Sequence, residues 1–301
     1  MSRNSLVSDV ATSSGNTTIR AILGELRSSL SAARVETPDQ TATDIVAALL
    51  EVPRSWPSLN IETALDIAIV DAARTAAQRL GRGAPFAYAV GTACFRHLNL
   101  MVDQRVLIPR PETEVLVGEV LERMNRRDRW GTAIDIGTGS GAIALALASE
   151  GRFERVIATD ASQDALDVAR ANAGRSRAVL HAEIEFRQGS LLSPVRGSTA
   201  TVVVSNPPYV AFAEAEALPP AVRDWEPPLA LFSGHDGMSA TAEIVRDSAA
   251  VLEAGGILAL EVDERRASLA AEMMMQHGAY CDVGVRLDLA GRERFVIATR
   301  I

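Results

Sequence analysis

A chain of 301 residues that is 48% hydrophobic has enough apolar side chain to bury one large core or two smaller ones, which excludes global disorder. Its 30 basic against 38 acidic residues leave a net charge of −8, the reverse of the balance that binding to a phosphate backbone calls for. Two distant cysteines (Cys94, Cys281) and four scattered histidines form neither a disulfide framework nor a zinc pattern, and no apolar run approaches the ~18 residues of a bilayer span.

In chain order, residues 1–18 are polar, lack the apolar core of a secretion signal and read as a disordered lead-in to a cytoplasmic protein. Residues 19–91 read as a helical N-terminal domain. IRAILGELRSSL, TATDIVAALLEV and IETALDIAIVDAARTAAQRL repeat apolar residues at helical spacing, and Gly81 and Gly83 end the last of them. Residues 92–110 read as a β-hairpin connector with Asp103-Gln104 midway.

From 111 to 301 strands alternate with helices. TAIDIG, RVIATD, EIEFRQ, TVVVSN, GILALEV, YCDVGVRLD and RFVIATR carry strand signals. PETEVLVGEVLERM, AIALALASE, SQDALDVARANA, SATAEIVRDSAAVLE and DERRASLAAEMMMQ carry helical ones. Such alternation predicts a parallel sheet covered on both faces. The last two strands are joined by the short DLAGRE, so they form an antiparallel edge hairpin. A seven-stranded, mostly parallel sheet of this kind is the Rossmann-like α/β shape of a methyltransferase. The cluster Arg123, Arg126, Arg127 and Arg129 reads as the polar end of a solvated helix.

Two stretches carry chemistry. In AIDIGTGSGAIALA, a strand runs into glycines 137, 139 and 141 and then a helix, so backbone can approach a ligand where a Cβ would collide. Asp160 ends the next strand, near the offset at which a carboxylate meets ribose hydroxyls. The spacing also satisfies the dinucleotide fingerprint, and a turn of purely structural use is the third alternative. The decision between NAD and S-adenosyl-L-methionine falls to 202-VVVSNPPYV-210 and to the closing hairpin. Pro207 and Pro208 stiffen the tip after a buried strand and fix the Asn206 amide and the Tyr209 ring beside it. The Asn206 oxygen and the Pro207 carbonyl can each accept one N–H of a planar NH₂ group, and Tyr209 can stack on it. Such a tip suits methyl transfer, in which positioning carries much of the rate.

The stretches LIPRPETEVLV, DIGTGSGAIALALA, TDASQDALDVARANA, VSNPPYV, EPPLALFSGHDGM, LEAGGILALEV and DLAGRERFVIA together resemble the release factor glutamine N5-methyltransferase family. The resemblance covers about Gly81 to the C-terminus, and IPRPETE is its most specific part. It implies a helical substrate-recognition domain at 19–91, the hairpin at 92–110 and a SAM-binding domain at 111–301. It implies N5-methylation of the glutamine in the Gly-Gly-Gln motif of peptide chain release factors, with S-adenosyl-L-homocysteine as product. Metal, membrane and stable nucleic-acid binding are not expected.

Residue by residue, the resemblance implies that Gly137, Thr138, Gly139, Ser140 and Gly141 line the methionine portion of SAM, that Asp160 binds its ribose and that Leu191 packs against adenine. Asn206, beside the donor, would hold the substrate amide with Pro207, Pro208 and Tyr209. Phe95, Arg110 and Glu112 would lie around the cleft. As a helix start, Arg110-Pro-Glu-Thr-Glu also has a structural use. Ser190 stands where the family often carries an acid, Leu191 where an aromatic is common, and Cys94-Phe95-Arg96-His97 keeps only the Phe of its pattern. The alternatives are a relative acting on another amide or amine, adenine-N6 transfer to DNA or RNA, and a non-enzymatic SAM-binding module.

Overall fold

The computed structural model describes residues 17–301, so most of the expected lead-in lies outside the described residues. Thr17 and Thr18, assigned to that lead-in from composition, instead belong to the first unit: the Thr17 carbonyl accepts from Leu65 N, and the Thr18 hydroxyl caps the first helix. The chain divides after Val90 into two compact units.

The first unit packs α1 (Ile19–Ala32), α2 (Pro38–Leu49), the short α3 (Trp56–Leu59), α4 (Ile67–Gly81) and α5 (Phe86–Val90) around one core. Ile19, Ile22, Leu26 and Leu30 recur at helical spacing on α1 and are buried. The helix expected from Ile61 starts only at Ile67. Ile61 and Thr63 hold their carbonyls toward Arg20 N (2.8 Å) and Ile19 N (2.9 Å), satisfying first-turn amides of α1, and Asp66 caps α4 through Ala68 N.

The second unit opens with a hairpin of β1 (Thr92–Phe95) and β2 (Leu98–Met101). Phe95 pairs with Leu98, so the turn falls at Arg96-His97 and not at Asp103-Gln104. Arg96 adopts φ 54° and is fixed from outside the hairpin. Its N–H donates to Glu114 Oε1 at 2.9 Å, and its Nη1 donates to the Glu114 carbonyl at 2.9 Å. Its Nε reaches Glu150 at 2.5 Å. Asp103 is used locally, accepting from Arg105 N.

There follow α6 (Pro111–Met124), β3 (Thr132–Ile136), α7 (Ala142–Glu150), β4 (Arg155–Asp160), α8 (Gln163–Ser176), β5 (Glu183–Gln188) and β6 (Ala200–Ser205). After the short α9 (Pro220–Arg223) and α10 (Pro228–Leu231) come α11 (Ser239–Ser248), β7 (Leu252–Glu261), α12 (Ala267–His277), β8 (Tyr280–Leu287) and β9 (Glu293–Arg300). The sheet order is β5-β4-β3-β6-β7-β9-β8, parallel except at β9, which runs antiparallel to both neighbours. This is the Rossmann-like methyltransferase architecture expected from the strand pattern. Helix α11 stops at Ser248, short of the expected Glu253, because Leu252 already pairs with Ala200. The register then shifts where Gly255 takes φ 78°. Helix α12 starts at Ala267, because Asp263 and Arg266 close a turn before it.

The sheet is buried on both faces, and the strand alternation is what divides the core. Ala133, Val202, Val204, Ile257 and Ala259 face one cluster; Ile134, Ile136, Val203, Leu258 and Leu260 face the other. Burying each such valine or isoleucine stabilises the fold by roughly 1.5–3 kcal/mol. Helix α7 is buried from Ala142 to Ser149, as its apolar circumference requires. Asn172 of α8 clamps this layer: it exchanges hydrogen bonds with the Met101 backbone (2.7 and 3.0 Å) and donates to the Ser140 carbonyl (2.9 Å).

Candidate active site

β3 and β6 are parallel neighbours at the centre of the sheet. From β3 the chain moves outward to β4 and β5 on one side, and from β6 to β7 on the other. Strand ends diverge at such a switch point and leave a crevice. Ile136 lies opposite Ser205, and the Ser205 hydroxyl donates to the Ile136 carbonyl at 2.7 Å. The glycine loop and the Asn206 tip therefore leave the sheet side by side. A cavity of about 360 Å³ lies over them, with Gly137, Gly139, Asp160, Leu191, Asn206 and Pro208 in its wall.

The loop residues divide into wall and frame. Gly137 (φ 72°) and Gly139 (φ 55°) face open space, where a Cβ would meet no protein atom within 4 Å, yet their backbone conformations disfavour other residues. Gly141 is off the wall. A Cβ there would press on Leu145 and Ala169, so its glycine serves helix packing. Thr138 and Ser140 are buried and also off the wall. The Thr138 hydroxyl donates to Asp135 Oδ2 at 2.6 Å, and Ala144 N donates to the same oxygen at 3.1 Å. Asp135 thus ties the loop to the start of α7; burial pushes its carboxyl up to about 7. Asp160 accepts from Gly139 N and Ser162 N, both at 2.9 Å. Burial raises its pKa against the pull of those amides. Leu191 sits on the wall with φ 45°, a costly conformation for a leucine. Ser190 also lines the wall, and the second carboxylate there, after Asp160, is Glu243 of α11, which the sequence pattern does not single out.

At the tip, Asn206 and Pro208 line the cavity, whereas Pro207 is buried and Tyr209 lies off the wall. Burial pushes the Tyr209 hydroxyl up to about 12, with the Glu261 charge adding to it, so the ring stays neutral. The tip is braced from behind by Gly237 (φ 76°), where a Cβ would fall 2.3 Å from the Tyr209 carbonyl. Arg266 completes the brace through the Asp236 carbonyl (2.7 Å) and Glu214 (2.9 Å). Gly237→Ala is expected to lower stability by about 2 kcal/mol and to displace the tip. Thermal melting and turnover measured together check this; a variant matching wild type in both would mean that the brace tolerates a side chain.

The other expected cleft residues are engaged elsewhere. Phe95 is 0% exposed and packs in the hydrophobic core. It anchors the hairpin and does not reach the cavity. Arg110 donates to the buried Glu226 at 2.5 Å, and Glu112 pairs with Arg292 at 3.2 Å. Neither lines the cavity.

A cavity with bare glycine backbone and Asp160 on one side, and Asn206 and Pro208 of the Asn-Pro-Pro-Tyr tip on the other, is a methyltransferase arrangement, and the relatives agree. Residues 113–218 match the methyltransferase small domain family model. A release factor glutamine methyltransferase of Moorella thermoacetica is 38% identical over 283 residues, 94% of this chain and 99% of its own length. The chain belongs to the release factor glutamine methyltransferase family. The enzymes of that name from Mycolicibacterium smegmatis (43% identical; 72% of this chain and 75% of theirs) and Rhodopirellula baltica (39%; 74% and 76%) are further relatives.

Among the described residues, the arginines at the end of α6 are paired with acids. Arg126 pairs with Glu122 (2.9 Å), Arg127 with Glu253 (2.9 Å), Arg129 with Glu154 (3.1 Å), and Arg123 lies 3.9 Å from Glu119. Among the described residues, no helix is long and apolar enough to cross a membrane, and no group of His, Cys, Asp and Glu has the arrangement of a metal site. Two residues that the sequence reading passed over adjoin the tip: Thr113, hidden within Pro-Glu-Thr-Glu, and Glu261. An acid closing the apolar run ILALE is the signal that marks Glu261.

Proposed function

We propose that this protein methylates the side-chain amide nitrogen of the glutamine in the Gly-Gly-Gln motif of release factors, in the cytoplasm, with SAM as donor. The observation that carries the reading is that Asn206 and the glycine loop share one cavity wall, in a chain 38% identical to a release factor glutamine methyltransferase along nearly its whole length. Gly137 and Gly139 would admit the methionine portion, Asp160 would accept from the ribose hydroxyls, and Leu191 would lie against the adenine. Bound there, SAM supplies an electrophilic methyl group.

The protein's own task is to hold the acceptor. The Asn206 oxygen accepts one N–H of the substrate amide and the Pro207 carbonyl the other, which fixes the plane of the NH₂ group. Pro208 closes the wall beside it, and Tyr209, neutral and off the wall, keeps the tip in shape. An amide nitrogen is a poor nucleophile because its lone pair is delocalised into the carbonyl, so fixing the group against the donor is where the rate gain arises.

The test is incubation of the purified chain with methyl-labelled SAM and a release factor. Label on the Gly-Gly-Gln glutamine, lost when that glutamine is replaced, is the expected result. Label retained after the replacement, or label on DNA or RNA with release factors unmodified, overturns the reading.

A further inference from the structure

Asn206 is one end of a buried relay. Its Nδ2 donates to Thr113 Oγ1 at 3.2 Å, and Thr113 Oγ1 donates to Glu261 Oε2 at 2.7 Å. Thr113 comes from the first turn of α6 and Glu261 is the last residue of β7; they are 4% and 1% exposed. A hydroxyl has one proton to give. With that proton committed to the carboxylate, Thr113 offers Asn206 only a lone pair, which an N–H satisfies and an amide oxygen does not. The nitrogen of the amide is thereby turned toward Thr113 and the oxygen away from it.

We infer that Thr113 and Glu261 are positioning residues, whose relay sets the orientation of the Asn206 amide so that its oxygen is presented to the substrate. The inference rests on the role proposed above for Asn206. An asparagine amide is nearly symmetric in shape, so sterics alone do not choose between its two flips. The flipped amide would aim N–H donors at an NH₂ group and could not hold it. A threonine alone would not discriminate either, since its hydroxyl can accept from nitrogen or donate to oxygen. The carboxylate behind it supplies the polarity.

The same relay carries a pH dependence. Glu261 is faced by Thr113, Arg110 and Glu112 from α6, by Arg294 from β9 and by Tyr209 from the tip. Burial pushes its carboxyl up to about 7; the Thr113 hydrogen bond and Arg294 pull it down, and Glu112 pushes it further up. Once protonated, Glu261 can donate to Thr113, whose own proton is then free to turn toward Asn206 and admit the flipped amide. The ionised form is the active one, so activity is present above about 7 and lost as pH falls through that value.

The experiment measures release-factor methylation by the full chain, with SAM affinity and melting temperature recorded alongside. Thr113→Val replaces the hydroxyl by a methyl group of similar volume. It is expected to lower kcat by about 10²-fold, the scale of a misplaced reactant, while SAM affinity holds and Thr113→Ser restores most of the rate. Glu261→Gln, whose NH₂ can donate to Thr113 as the protonated acid does, is expected to lower activity toward the low-pH level of the wild type and to abolish the acid limb near pH 7. Independently of turnover, the side-chain ¹H–¹⁵N signals of Asn206 in the free protein should titrate with a midpoint near 7, and cease to do so in Glu261→Gln.

A folded Thr113→Val with wild-type kcat beside an inactive Asn206→Ala overturns the relay, as does an acid limb that survives in Glu261→Gln. A wild-type chain that leaves release factors unlabelled overturns the proposed function instead. In that case the Asn206 titration still decides the orientation of the amide, and a flat response refutes it.

Discussion

Asn206→Ala is expected to lower kcat for release-factor methylation by about 10³-fold while SAM affinity changes less than about threefold. The asymmetry follows from where the residue sits. Asn206 leaves β6 at the switch point, lines the cavity, and has its nitrogen engaged by Thr113. Its oxygen is the polar atom left to meet the substrate. Alanine removes that acceptor and also leaves Thr113 with one lone pair unmatched, so the loss exceeds a single hydrogen bond. The donor is held by other residues, chiefly Gly137, Gly139 and Asp160 in the proposed arrangement, and none of them contacts the Asn206 side chain through a hydrogen bond among the described residues. Titration calorimetry with SAM and single-turnover rates with a release factor separate the two effects. Equal loss of SAM binding and turnover in a folded variant would assign Asn206 to the donor.

Asp160→Ala is expected to do the reverse: to weaken SAM binding about 10²-fold, close to 3 kcal/mol, before any effect on chemistry is read. Its carboxylate works in two directions. It accepts from Gly139 N and so holds the loop against β4, and in the proposed complex it accepts from ribose hydroxyls. Removing it loosens the glycine wall and deletes a charge-assisted partner together. Because burial raises this carboxyl above the usual aspartate range, weakening of SAM binding on acidification should begin at a higher pH than for an exposed aspartate. Calorimetry across pH on the wild type, and at neutral pH on the variant, checks both statements. Unchanged affinity in a folded Asp160→Ala would remove Asp160 from the donor site.

What is legible in the amino-acid order follows from period and composition. Strands such as TVVVSN and helices such as AIALALASE are buried on all sides, so their residues need only be apolar and of the right period, and a continuous run displays that directly. The closing hairpin was legible because DLAGRE is too short for a crossover. The hairpin turn at Arg96-His97 was not, because Glu114 and Glu150, far along the chain, hold it in place. The late start of α4 likewise depends on carbonyls that α1 takes up.

The sequence by itself determined the architecture, the family and the two stretches that form the cavity wall, since each rests on local spacing or on a run of residues read in order. Only the tertiary structure separated Gly137 and Gly139, open to the cavity, from Gly141, which packs a helix. It also buried Phe95 and joined Thr113 to Glu261 behind Asn206, residues 148 and 93 positions apart along their two hydrogen bonds. The physical reason is the same in each case: the free energy of a buried polar group or a bare glycine depends on what the folded chain sets against it, and neighbours in space are not neighbours in sequence.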